Sequence, residues 1–192
     1  MKACFCLVHD NRKYMDYIGK YITKDGDVTD TMSEQVLGVV FGGTEKALLF
    51  LPFFDVEYCH KRYHSLQEIL EIAEDFNRQY NNKHIRWSVP TLAEWNAIIR
   101  NLGKTGVFGK SAPDMCDRTQ VWGEFDSKTA INNLGRYGLN SESTYWSSSE
   151  GYEYEVYLLN LALGRIEAYP MFDDGEEEDN VLRLIGHINL WR

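Results

Sequence analysis

Arg86-Trp87-Ser88-Val89-Pro90-Thr91-Leu92-Ala93-Glu94-Trp95 is the stretch whose reading decides the fold. After Pro90, Thr91 and Glu94 stand three residues apart and form a capping box. In such a box the hydroxyl and the carboxylate each satisfy a backbone N–H that the start of a helix leaves open. Leu92, Trp95, Ile99 and Leu102 then recur at helical spacing, and Gly103 is a natural C-terminal stop. A helix is therefore expected from Leu92 to Leu102.

Upstream, Ser65-Leu66-Gln67-Glu68 is a second capping box. Leu66, Ile69, Leu70, Ala73, Phe76 and Tyr80 continue it as an amphipathic helix to about residue 80. Before that helix, residues 3–8 alternate as a short strand. Lys24-Asp25-Gly26-Asp27 signals a turn, because Asp-Gly tolerates positive φ. Val36–Phe41 and Ala47–Phe54 read as two strands joined around Gly42-Gly43, a hairpin.

Downstream of Gly103 the period is lost as far as Asn140, with one short helix indicated near Ser127–Leu134. An irregular stretch of that length in a compact domain usually carries a function or a specific stabilising role. Tyr145–Ser149, Glu155–Leu163, a turn at Gly164, Arg165–Phe172, the acidic loop Asp173–Asp179 and Val181–Trp191 then read as an antiparallel meander. Strands, two helices, loops and strands in that order argue α+β, with helices packed on antiparallel sheets. The expectation is one domain over residues 1–192, the N-terminal strands of 1–60 included.

The 192 residues are 44% hydrophobic and 26% charged, a globular composition rather than a disordered one. No apolar run approaches the roughly 20 residues that cross a bilayer, so membrane insertion is not expected. Net charge is −9, and residues 141–192 hold 11 acidic side chains against Arg165, Arg183 and Arg192. Binding a polyanion needs phosphates neutralised by Lys and Arg, and the last quarter of the chain would repel one. On charge, neither nucleic acid nor an anionic membrane surface is expected as a partner. The segment Met1–Asp10 has too short an apolar stretch for a secretory leader, which makes the cytoplasm the default location.

Several segments resemble a C-type-lectin-like bacterial family, the Bacteroides-type paralogous domains. Residues 86–95 are similar to its "W-R-L-P-T-x-x-E-W" signature and Tyr145-Trp146-Ser147-Ser148-Ser149-Glu150 to its "Y-W-S-S-T-E". Tyr17-Ile18-Gly19 through Asp25-Gly26, with Val36–Phe41, resemble its lead-in, so the likeness spans about residues 14–191. It implies a C-type-lectin-like fold with long irregular loops, related to formylglycine-generating enzymes and phage tropism determinants. Trp87, Pro90, Thr91, Glu94, Trp95, Tyr145, Trp146, Ser147 and Ser148 read as fold determinants: large rings at element ends whose N–H groups find partners, and serine hydroxyls that tie turns. A scaffold is not a function. Relatives are often exported or borne on virions, which gives the cell surface or a phage particle as the alternative location.

The Glu-Pro-Asn, Gln-Pro-Asp and Trp-Asn-Asp calcium tripeptides of sugar-binding C-type lectins do not occur in the sequence. Asp173, Asp174 and Glu176 of the acidic loop are the weaker oxygen-ligand candidates, with no recognisable ligand spacing; a solvated loop is the blander account. Cys59, His60 and His64, and Cys4, Cys6 and His9, lack the paired spacing of structural zinc, and these thiols fit better as small apolar residues. Formylglycine-generating enzymes work through a C-terminal cysteine pair, whereas the last cysteine here is Cys116, set between acids that raise a thiol pKa. No enzyme activity and no cofactor are expected. Recognition of a protein or glycan is the leading expectation, through a surface of residues 103–140 and 152–179. Its candidate binding residues are Tyr152, Tyr154, Tyr157, Asn160, Arg165, Glu167 and Tyr169, because Tyr and Arg dominate binding hot spots and the late strands bear the ligand surface in the resembled tropism determinants. A structural subunit of a surface or phage assembly, and an oxidase relative, are the alternatives.

Overall fold

The computed structural model describes residues 12–54, 66–80, 82–109, 121–150, 155–170 and 180–189. In chain order the elements are α1 (Arg12–Met15), β1 (Tyr21–Thr23), β2 (Val28–Thr29), β3 (Val36–Gly43), β4 (Ala47–Pro52), α2 (Leu66–Tyr80), β5 (Ile85–Ser88) and α3 (Leu92–Asn101). They continue as β6 (Phe108–Gly109), β7 (Val121–Glu124), α4 (Ser127–Leu134), a 3₁₀ turn at Gly135–Tyr137, β8 (Thr144–Glu150), β9 (Glu155–Asn160), β10 (Arg165–Pro170) and β11 (Ile185–Asn189). Six strands form one sheet, ordered β2-β1-β3-β4-β11-β5, and five form a second, ordered β6-β7-β10-β9-β8. Every pairing within the sheets is antiparallel. The α+β class expected from the sequence is therefore what forms.

The first sheet is covered on both faces, which is why β3 and β4 read as continuous apolar runs rather than alternating ones. Val40, Leu48 and Phe50 turn to one core, with Trp87, Ile188 and the α2 residues Ile69 and Ala73. Val39, Phe41, Leu49 and Leu51 turn to the other, with Trp95, Ile98 and Ile99 of α3 and Ala130 and Leu134 of α4. The second sheet enters both cores: Trp146, Val156 and Leu158 join the first, and Tyr145, Leu159 and Ile166 the second.

Local chemistry sets the boundaries. The Thr91 side chain accepts from Glu94 N at 3.2 Å, and Glu94 Oε2 accepts from Thr91 N at 2.7 Å, so the expected capping box is present. Asp126 caps α4 with its side chain alone; the Thr129 hydroxyl and backbone N–H hold its carboxyl below the usual carboxylate range. The turn at Lys24–Asp27 forms, with Gly26 at φ +82°.

Three expectations are corrected. The β3–β4 hairpin does not turn at Gly42-Gly43, because β3 runs through both glycines. The turn lies at Thr44–Lys46, where Thr44 N donates to Ala47 O and the Thr44 hydroxyl accepts from the amides of Lys46 and Ala47. The late meander stops at β10, since β11 crosses to the first sheet and inserts between β4 and β5. Both faces of a strand at that position are buried, and Ile185 and Ile188 feed opposite cores. Gly186 fits there because the Phe50 ring lies over it; an added Cβ would stand 2.1 Å from that ring. Finally, the expected strand Val181–Trp191 starts later than its first residue: among the described residues Ile185–Asn189 lie in the ladder. Val181 instead bridges β8, its N–H donating to Thr144 O at 2.7 Å. The capping residue Ser65, the strand at 3–8 and the cysteines lie outside the described residues.

Candidate functional site

Two regions of this scaffold concentrate polar side chains. The first is the junction of the two signature segments. Ser148 N donates to Pro90 O at 2.8 Å and its hydroxyl to Val89 O at 3.1 Å. Ser149 Oγ accepts from Leu92 N at 2.9 Å, one of the open donors of the first turn of α3, and Ser147 Oγ accepts from Ser149 N at 3.0 Å. Trp95 Nε1 donates to Trp146 O at 3.0 Å, and the Trp95 and Tyr145 rings lie 5.6 Å apart. Residues some fifty positions apart thus fasten the end of β8 to the start of α3.

Trp87 departs from the expected pattern. It is 2% exposed and packs against the rings of Phe50, Phe54, Phe76 and Tyr80, with centroids 5.4 to 5.8 Å away. Its Nε1 is buried with no hydrogen-bond partner among the described residues. The ring supplies area, edge-on to Phe50, Phe76 and Tyr80. Its backbone is satisfied differently: Asn77 of α2 donates to Trp87 O at 2.8 Å and accepts from Trp87 N at 2.7 Å. That bidentate contact blocks the free edge of β5 to pairing by another strand.

Around this edge runs a groove of about 480 Å³ whose lining includes Leu70, Glu71, Arg86, Ser88, Glu94 and His187. Ser88 Oγ and His187 Nε2 are 2.6 Å apart. Burial lowers the His187 pKa from its ordinary value, with Glu94 opposing and Arg86 adding to that shift. The neutral imidazole is therefore the form that burial favours. Nothing in the sequence analysis singled out Ser88 or His187. They lie 99 residues apart on β5 and β11, and only the insertion of β11 beside β5 makes them neighbours.

The second region is the second sheet, where the expected binding residues fall on two faces. Partners directly opposite in an antiparallel pair share a face. Arg165 stands opposite both Asn160 and Glu124, and Asn160 opposite Thr144, which makes one polar row across four strands. Glu167 follows on the same face, its Oε1 3.8 Å from Arg165 Nη1, and Tyr169 packs against the first core. Tyr157 lies on the opposite face, against the second core; burial and the neighbouring Glu155 carboxylate raise its pKa. Asn160 also has a local duty, its Oδ1 accepting from Leu163 N at 3.0 Å to close the β9–β10 turn. The structure therefore brings Asn160, Arg165, Glu167 and Tyr169 together and separates Tyr157 from them. Tyr152, Tyr154, Asp173, Asp174 and Glu176 lie outside the described residues, as do Cys59, His60, His64 and Cys116.

One further residue went unnoticed in the sequence. Arg183 is fully buried; it donates to Tyr137 O at 3.0 Å, to Gly138 O at 3.4 Å and to Pro52 O, and so ties the 3₁₀ turn to the end of β4. Gly138 there has φ +82° and leaves no room for a Cβ beside Phe53 O. In sequence Arg183 is one of three basic residues in an acidic quarter, and nothing distinguishes it from a surface arginine.

Among the described residues no group of three or more His, Cys, Asp or Glu gathers as a metal site, and no described helix is long and apolar enough to cross a membrane. Fold and site together define an α+β protein of two antiparallel sheets sharing two cores. No family model, no curated protein and no solved structure matches this chain.

Proposed function

We propose that this protein is a C-type-lectin-like domain that recognises a protein or glycan ligand without catalysis and without a calcium requirement. The fold reading is supported by the way the two signature segments meet: Pro90–Trp95 and Tyr145–Ser149 form one hydrogen-bonded junction, as residues that specify a shared scaffold should. The observation that carries the functional reading is the row Thr144, Asn160, Arg165 and Glu124, with Glu167 beside it. It is a polar, partly exposed shelf on strands whose neighbouring positions are locked into two cores. Groups held on rigid strands bind with less ordering cost than groups on loops. Arg165 is the central side chain of that shelf and the residue type most suited to a planar, multidentate contact.

The test is a printed glycan array and a displayed-peptide library, each screened with the purified full chain in EDTA. A ligand selected in this way should bind Arg165→Ala and Glu167→Gln at least about tenfold more weakly, the loss expected of a hot-spot residue. Tyr157→Phe, on the other face, should bind as the parent does. Ligands indifferent to both shelf substitutions, or retained only when calcium is restored, would overturn the reading.

A further inference from the structure

Ser88 and His187 are the pair that recognition on the shelf leaves unused. Their strands β5 and β11 are paired, with Arg86 directly opposite His187 and Ser88 two residues beyond Arg86, so all three side chains lie on one face of the first sheet. There Ser88 Oγ is 2.6 Å from His187 Nε2. The serines of the neighbouring junction are engaged differently: the Ser148 hydroxyl donates to Val89 O, and those of Ser147 and Ser149 accept from backbone amides. Ser88 has an imidazole for its partner. Both members of the pair line the groove of about 480 Å³, and neither is fully buried. A hydroxyl held to an imidazole on rigid strands, at the wall of a groove of small-molecule size, is the arrangement of a nucleophile and its base.

The tautomer with its ring proton on Nδ1 leaves Nε2 free to accept from the Ser88 hydroxyl. As Ser88 Oγ bonds to the acyl carbon of an ester, its proton passes to Nε2, and the imidazolium gives that proton to the alcohol as the ester C–O bond breaks. Water repeats the sequence. His187 takes one of its protons, the water oxygen bonds to the acyl carbon, and Ser88 leaves with the proton returned to Oγ. One ester and one water become one acid and one alcohol. Charge narrows the substrate: Glu71, Glu74 and Glu94 line the groove, and its one guanidinium, that of Arg86, is held by Glu74 at 3.4 Å. That balance disfavours carboxylate and phosphate groups, and the partly exposed Leu70 adds an apolar wall.

We propose that Ser88 and His187 form a second site, separate from the shelf, where Ser88 is the nucleophile and His187 the base for acyl transfer from small uncharged esters to water. Recognition on the shelf stays uncatalysed, and the two readings stand or fall separately.

The experiment is labelling of the folded full chain with an uncharged alkyl fluorophosphonate, in which Ser88 Oγ displaces fluoride at phosphorus, followed by peptide mapping. A label should map to Ser88 in the folded parent and be absent there in urea. The parent should also hydrolyse p-nitrophenyl butyrate faster than Ser88→Ala does. His187→Gln keeps a hydrogen-bonding side chain but no base, and should slow labelling at least about a hundredfold, the low end of what a general base contributes. In the parent, labelling should be lost as pH falls through the midpoint of the His187 ring resonances in NMR, a midpoint set by burial together with Glu94 of α3 and Arg86 of β5. No label at Ser88, a label that His187→Gln leaves unchanged, or ester hydrolysis equal in Ser88→Ala overturns the proposal. Should His187→Gln fail to fold, the parent decides, because a labelling rate indifferent to the His187 midpoint excludes His187 as the base.

Discussion

The junction of β5, α3 and β8 and the shelf on β9 and β10 are built from similar residue types and treated oppositely by the fold. At the junction Thr91, Glu94, Ser147, Ser148 and Ser149 spend their hydrogen bonds on backbone groups, those of Ser148 and Ser149 on the segment that opens α3. On the shelf Arg165 and Glu167 meet each other at 3.8 Å along one strand, with Arg165 44% and Glu167 31% exposed. Polar side chains that close backbone valences inside a fold are structural; polar side chains left at a surface on a rigid strand are available to something else. The contrast separates residues that make the scaffold from residues the scaffold presents.

The largest effect should come from the junction. Trp95→Ala removes a fully buried ring and its bond to Trp146 O, and should cost about 3–5 kcal/mol in denaturant unfolding. A loss under about 1 kcal/mol would mean that the junction is not where the sheets are held. Asn77→Ala should cost about 1–3 kcal/mol, because it leaves the buried Trp87 N–H and C=O at the β5 edge without their partner. It should also promote self-association, measurable by light scattering, since an open strand edge is a template for pairing. At the other end of the scale, Arg165→Ala should shift unfolding by less than about 0.5 kcal/mol, as expected for an exposed ion pair. A shelf substitution as damaging as Trp95→Ala would erase the distinction between the two regions.

The comparison also explains which features were legible before folding. Thr91 and Glu94 announce a helix start through a purely local exchange of hydrogen bonds, and the 3.6-residue recurrence of Leu66, Ile69, Ala73 and Phe76 fixes a buried stripe with no reference to its partner. Asp126 to Thr129 is the same kind of signal, so α4 was within reach inside an otherwise irregular stretch. Strand pairing is different. Two-residue and four-residue strands such as β2, β5 and β7 have too few positions to show a period, and β11 carries no mark of which sheet it joins.

The candidate site divides along the same line. Asn160, Arg165, Glu167 and Tyr169 could be nominated from residue type and segment, but the assignment of Tyr157 to the opposite face follows from the register Tyr157↔Ala168. A one-residue change of register would move every one of these side chains to the other core.

The sequence by itself determined the α+β class, the two long helices with the α3 start at Thr91, and the residues of the signature segments, because these rest on interactions between near neighbours. The tertiary structure alone decided that β11 lies between β4 and β5, that Ser88 meets His187, that Asn77 closes the β5 edge and that Arg183 is buried under Tyr137 and Pro52. Each of those contacts joins residues far apart in the chain. Their position is set by the burial of two cores at once, a condition no short window of sequence contains.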